Sequence, residues 1–68
     1  MRIFYSYKQV DEVLDTLKKM REEAGALNQD YVKIIKDVLK HSYKGVVLHF
    51  YNELSKNPEI LKEFESIK

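Results

Sequence analysis

The chain has 68 residues, 34% of them charged and 44% hydrophobic, with a formal net charge of +1 and no cysteine. One domain fits in this length, and it buries only about 60% of the surface that the unfolded chain exposes. The missing cysteine excludes disulfides, thiolate metal sites and thiol nucleophiles together, and the balanced charge argues against a polybasic arm for nucleic acid or membrane.

Before Ser6 the chain carries one Arg and the short apolar run Ile3-Phe4-Tyr5, less than a signal sequence needs. No apolar run reaches the ~20 residues of a membrane-spanning helix, so the sequence reads as cytoplasmic. Ser6-Tyr7-Lys8-Gln9-Val10 then has the form of a capping box. The Ser6 hydroxyl accepts from the Gln9 amide while the Gln9 side chain reaches back, with Tyr5 placed to fold over Val10 as a hydrophobic staple. Val10, Val13, Leu14, Leu17, Met20 and Ala24 follow at helical spacing. The opposite face offers Asp15 to Lys19 and Lys18 to Glu22. Gly25 suits the left-handed C-cap, which predicts a first helix from Tyr7 to Ala24.

Asn28 offers the next N-cap, with Leu27 as a staple to Val32 and Asp30 in the positive first turn. The predicted second helix buries Tyr31, Ile34, Ile35, Val38 and Leu39, with Val32 at the edge, and the short connection favours an antiparallel hairpin with the first. Ser42 is placed to cap a third helix through Ser55 that buries Val47, Phe50, Tyr51 and Leu54. Val46 to Tyr51 is also rich in strand-favouring residues, so a two-stranded ribbon of residues 2–6 with 46–51 is the alternative. Asn57-Pro58-Glu59 opens a last helix, with Pro at its first position and Ile60, Leu61, Phe64 and Ile67 on its apolar stripe. The expected fold is all-α, a single domain over residues 1–68 made of four short helices.

Chemistry-bearing groups are few. Asp37 with His41, and His49 with Glu53, stand four residues apart, a spacing from which two facing pairs can hold a divalent ion. Neither belongs to a signature such as H-E-x-x-H, and the expectation is ordinary surface pairs, with no metal and no cofactor. Ser6, Ser42, Ser55 and Ser66 lie near helix ends where capping accounts for them, none in G-x-S-x-G, and the two glycines make no phosphate loop. Catalysis is not expected.

Lys33, Lys36, Lys40 and Lys44 form a basic stripe if the second helix runs far enough, with Tyr43 beside it to stack on a base. Nucleic-acid binding is therefore the alternative function, weakened by Asp37 inside the stripe and by the lack of Arg to read base edges. The five tyrosines and three phenylalanines point elsewhere. Tyr joins a large apolar body to a polar tip and suits an interface. A chain this short does not easily bury Ile3, Phe4, Tyr5 and Tyr7 by itself, and an exposed apolar patch marks a contact site.

The stretch Leu27-Asn28-Gln29-Asp30-Tyr31-Val32-Lys33-Ile34-Ile35, continuing to Leu39-Lys40-His41, resembles the second helix of the Sda-type sporulation checkpoint inhibitors. These are small helical hairpins that bind the dimerisation domain of a sensor histidine kinase. The resemblance covers under a third of the chain and implies that such a helix can serve a protein-binding inhibitor. The sequence thus leads to a small, non-enzymatic interaction or regulatory module that binds a protein partner and self-associates, its anchors drawn from Phe4, Tyr5, Tyr7, Tyr43 and Tyr51.

Overall fold

A computed structural model describes residues 3–68; Arg2, the first residue of the alternative ribbon, lies outside them. The helices are α1 (Tyr7–Ala24), α2 (Gln29–His41), α3 (Lys44–Leu54) and α4 (Pro58–Ser66). Among the described residues there is no strand, and Val46 to Tyr51 is helix, so the ribbon is not formed. Strand propensity yields here to packing, because Val46, Phe50 and Leu54 recur every fourth residue and all three are buried. This line replaces the expected Val47 and Tyr51, of which the first is half-buried and the second 40% exposed.

The capping box opens α1 as expected. Ser6 Oγ accepts from the Gln9 amide at 3.3 Å, and Gln9 Oε1 accepts from the amides of Ser6 at 3.2 Å and Tyr5 at 2.6 Å. The hydrophobic partner differs from the expected one, since Phe4 is buried while Tyr5 is 69% exposed. The cause is a long-range hydrogen bond from the Phe4 amide to Ser42 Oγ, 3.0 Å, which turns Phe4 inward beside the end of α2. Gly25 closes α1 at φ 75°, its amide donating to the Arg21 carbonyl at 3.1 Å.

In α2 the Asn28 side chain accepts from the Tyr31 amide at 2.9 Å. Val32, Ile35 and Leu39 are buried, Tyr31 and Val38 are half-buried, and Ile34 is 59% exposed. The helix is thus rotated from the expected register. Leu27, itself buried, anchors the chain just before α2 and Val32 follows into the core, which swings Ile34 outward. Ser42 does not cap α3. Its amide donates to the Leu39 carbonyl and its hydroxyl to that of Val38, 3.2 and 2.7 Å, ending α2. The N-cap of α3 is Tyr43, whose carbonyl accepts from the amides of Val46 and Val47. Asn57 opens α4 with its backbone carbonyl, which accepts from the Leu61 amide at 2.9 Å, and makes no side-chain cap. Ile60, Phe64 and Ile67 are buried, as their spacing predicts.

The backbone of α1 approaches α3 most closely, and both approach α4. The close pairing is therefore α1 with α3, and α2 is held chiefly through side chains and its ends. Phe50 sits at the centre, edge-on to Tyr51 at 5.2 Å and tilted against Phe64 at 5.4 Å. The radius of gyration, 11.1 Å, matches the ~11 Å expected of a compact chain of this length.

A polar clamp joins the α1–α2 turn to α4. Arg21 Nη1 donates to Glu63 Oε1 at 2.8 Å and to the Gly25 carbonyl at 3.0 Å, while Glu63 Oε2 accepts from the Leu27 amide at 2.6 Å. Glu59 reaches Arg21 Nη2 only at 3.5 Å. The expected pairs Asp15–Lys19 and Lys18–Glu22 are not among the ion pairs of the described residues.

Candidate docking surface

Rotation of α2 leaves an apolar groove on one side of the bundle. It has a volume of about 660 Å³ and lies between the segment Ile3–Tyr5, one side of α1 and the outer side of α2. Tyr31, Ile34 and Val38 form one wall and Val13 the other; Phe4 and Ile35, both buried, belong to its floor. Gln9, Glu12 and Thr16 supply a polar edge. A second hollow of about 760 Å³, between α1 and the start of α4, has polar and apolar surface in near-equal parts and holds Arg21 with Lys18 and Lys56.

The aromatic anchors named from the sequence do not form one patch. Phe4 is in the core, which removes it as an exposed anchor. Tyr5 lines the groove, whereas Tyr7, Tyr43 and Tyr51 do not. Tyr7 stacks on His49 with centroids 4.2 Å apart and planes 9° from parallel. Tyr51 leans edge-on towards Phe64 at 6.3 Å, and Tyr43 is exposed at the N-terminus of α3. Besides Tyr5 and the buried Phe4, the groove is lined by Tyr31, which the sequence assigned to the buried side of α2. The signal that would have found it is the line Tyr31, Ile34 and Val38, spaced three and four along one face, beside the separate buried line Val32, Ile35 and Leu39.

Burial of Tyr51 pushes its phenol above the ordinary pKa, and the negative charge of Glu65 adds to the effect. A raised acid pKa means that the folded chain holds the proton longer than the unfolded one. The Tyr51 contribution is therefore complete below the unfolded pKa of about 10 and is lost as pH rises through the folded value. An ultraviolet titration should contain a phenol that ionises above the ordinary tyrosine range, and Tyr51→Phe should remove that late component. A late component that persists in Tyr51→Phe would contradict the packing of Tyr51 described above.

The imidazoles are engaged differently from expectation. His49 Nε2 lies 2.9 Å from Asp11 Oδ1 across α3 and α1, and Glu53 pairs instead with Lys56 at 2.7 Å. Asp37 and His41 form no ion pair, and among the described residues no three His, Asp or Glu side chains gather as metal ligands would. Ser55 and Ser66 donate to the carbonyls of Asn52 and Glu63, both at 2.7 Å, so their hydroxyls serve helix ends.

The lysine stripe is interrupted. α2 stops at His41, which leaves Lys44 on α3, and Lys36 turns inward. Its ammonium donates to the Ile67 carbonyl and lies 5.1 Å from the centroid of the Phe64 ring. Lys33 and Lys40 alone remain exposed on α2. A lysine stripe of four on the second helix is thus not present, because the helix is shorter than it requires and one member is needed at the α2–α4 contact.

The fold and its surface define a class, a small all-α bundle with an open apolar groove beside one helix, and no described helix is long and apolar enough to cross a membrane. The chain matches no family model, no curated protein and no solved structure. The likeness of α2 to the checkpoint inhibitors is accordingly local and assigns no family.

Proposed function

We propose that the chain is a small, non-enzymatic, cytoplasmic interaction module with a regulatory role, and that it docks a protein partner along the groove beside α2. The observation that carries this reading is the outward placement of Ile34 and Tyr5, 59% and 69% exposed, at an apolar groove with a polar edge. Apolar walls with aromatic side chains and a polar rim are the anatomy of a helix-accepting groove. Tyr5, Tyr31 and Ile34 are the anchors of the proposed surface. Tyr31 and Ile34 stand on a rigid, capped helix, so little ordering entropy opposes their use.

A photoreactive phenylalanine placed at Tyr5 or Ile34 tests the surface inside cells. Irradiation should yield covalent adducts of the chain from both positions and none from Glu23, which is exposed on α1 away from the groove. No adduct at either groove position, or equal labelling at Glu23, would sink the reading.

A further inference from the structure

Resting on the docking reading above, we infer that the occupant of the groove is a basic amphipathic helix of a partner protein, one whose apolar stripe is flanked by Lys or Arg. The walls carry the first half of this inference. Tyr31, Ile34 and Val38 recur at three and four residues over about 10 Å of α2, with Val13 on the opposite wall. A trough between two helices whose wall repeats in this way is matched by a third helix that lays side chains at i, i+3, i+4 and i+7 along it. Among the described residues no strand offers an edge, so an extended peptide finds no backbone ladder to join.

The rim carries the second half. Among the described residues that line the groove, Glu12 is the sole charged side chain, and it is exposed. On α2 the exposed Asp30 and Asp37 stand about 40° and 60° round the helix from Ile34, on its side away from the core. His41, counted neutral at pH 7, follows one turn after Asp37 on the same flank. The lysines lie elsewhere. Lys33 and Lys40 are roughly 130° or more from the middle of the apolar line, and Lys36 is drawn to α4. Lys8 and Lys19 of α1 do not line the groove.

Acids from both helices therefore border an apolar trough. Glu12, Asp30 and Asp37 have no ion-pair partner among the described residues, whereas Glu53 and Glu63 do. Such banks repel an acidic helix and meet the Lys or Arg beside the stripe of a basic one. A second copy laid along the same face would bring Asp30 and Asp37 against their like. The walls supply most of the attraction in this arrangement, and the rim selects the charge of the partner.

The test titrates the whole, isotope-labelled chain with three synthetic helical peptides of about 18 residues, long enough to hold a helix. They share a Leu stripe at helical spacing and differ only in bearing Lys, Gln or Glu beside it. The Lys peptide should shift the resonances of Val13 and Ile34. It should bind at least roughly tenfold more tightly than the Glu peptide at low salt, and the gap should narrow as salt is added. E12K/D30K/D37K should reverse that order, and a Glu peptide bound more tightly by this variant cannot be the result of lost folding. K33E/K40E, on the far side of α2, should keep the wild-type order, and Ile34→Gln should weaken every peptide.

Equal affinity for the Lys and Glu peptides overturns the inference, as does a Lys peptide that moves no groove resonance up to about 1 mM, or an order that the rim reversal leaves unchanged. The photo-adducts from Ile34 separate this outcome from failure of the docking reading. Adducts that persist undiminished in E12K/D30K/D37K, or that join a second copy of the chain, overturn the basic partner and leave the docking surface standing. Absence of adducts from the groove removes the docking reading and the basic occupant with it.

Discussion

Phe50→Ala is expected to leave the chain largely unfolded at room temperature. The side chain is fully buried, and its ring packs against Tyr51 and Phe64. Truncating a buried Phe costs about 3–5 kcal/mol, while a 68-residue domain has roughly 3–10 kcal/mol in all at the usual stability per residue. The loss is therefore comparable with the whole. Each kcal/mol moves the melting temperature of so small a domain by ~4–8 °C, so a shift of at least ~12 °C should appear in far-ultraviolet circular dichroism. Leu48→Ala, two residues earlier on α3 but 54% exposed, should stay within about 0.5 kcal/mol of the wild type. Similar losses at the two positions would mean that α3 does not present the Val46, Phe50 and Leu54 line to the core.

The contrast also shows which parts of the fold can be read from residue order. The bounds of α1 follow from local chemistry, because Ser6, Gln9 and Gly25 act within one turn of themselves. The Asn28 cap is equally local, and Pro58 marks the start of α4. Ser42 is different. Its neighbours suggest a cap for the following helix, but its hydroxyl is taken by Val38 on one side and by the Phe4 amide, 38 residues away, on the other. No local pattern contains that second partner. The pairing of Val46 to Tyr51 is also non-local, and only the match of a four-residue repeat to α1 separates helix from strand there.

The surface was legible in part. Tyr5 followed from the apolar N-terminal run. Phe4 in the same run went to the core, since alternate side chains of an extended segment point to opposite sides. Ile34 and Tyr31 lie on a face that periodicity alone cannot orient, because the apolar residues of α2 spread over nearly half its circumference. The buried line was fixed by Leu27, Val32 and the contacts of Lys36 with α4, all of which depend on where the chain returns. Lys36 shows the same dependence for charge, being one of four like residues in sequence yet the one that serves an internal contact.

Glu63→Ala should be the most costly change at any charged side chain, about 2–4 kcal/mol, although the sequence presents Glu63 as one acid among eleven. Two separable losses make up that figure. The carboxylate accepts from the Leu27 amide in a part-buried contact at 2.6 Å, and a hydrogen bond to a charged acceptor is worth about 1.5–3 kcal/mol. Its pair with Arg21 adds only ~0.5–1 kcal/mol, discounted because the two side chains remain 34% and 22% exposed and water screens them. Glu63→Gln keeps an acceptor for Leu27 and gives up the charge, so it should cost less than Glu63→Ala. A double-mutant cycle with Arg21→Ala should return the smaller, pairwise part. Salt should reduce that part and leave the Leu27 bond nearly unchanged. Glu59→Ala serves as the control, its side chain being 85% exposed and 3.5 Å from Arg21, and should fall within about 0.5 kcal/mol of the wild type. Hydrogen exchange reads the larger part directly, since the Leu27 amide should lose protection in Glu63→Ala and keep most of it in Arg21→Ala. Equal protection at Leu27 in the two variants would show that the turn after α1 is held by Arg21 on Gly25 and not by α4, and the clamp would then have to be redrawn as local to α1.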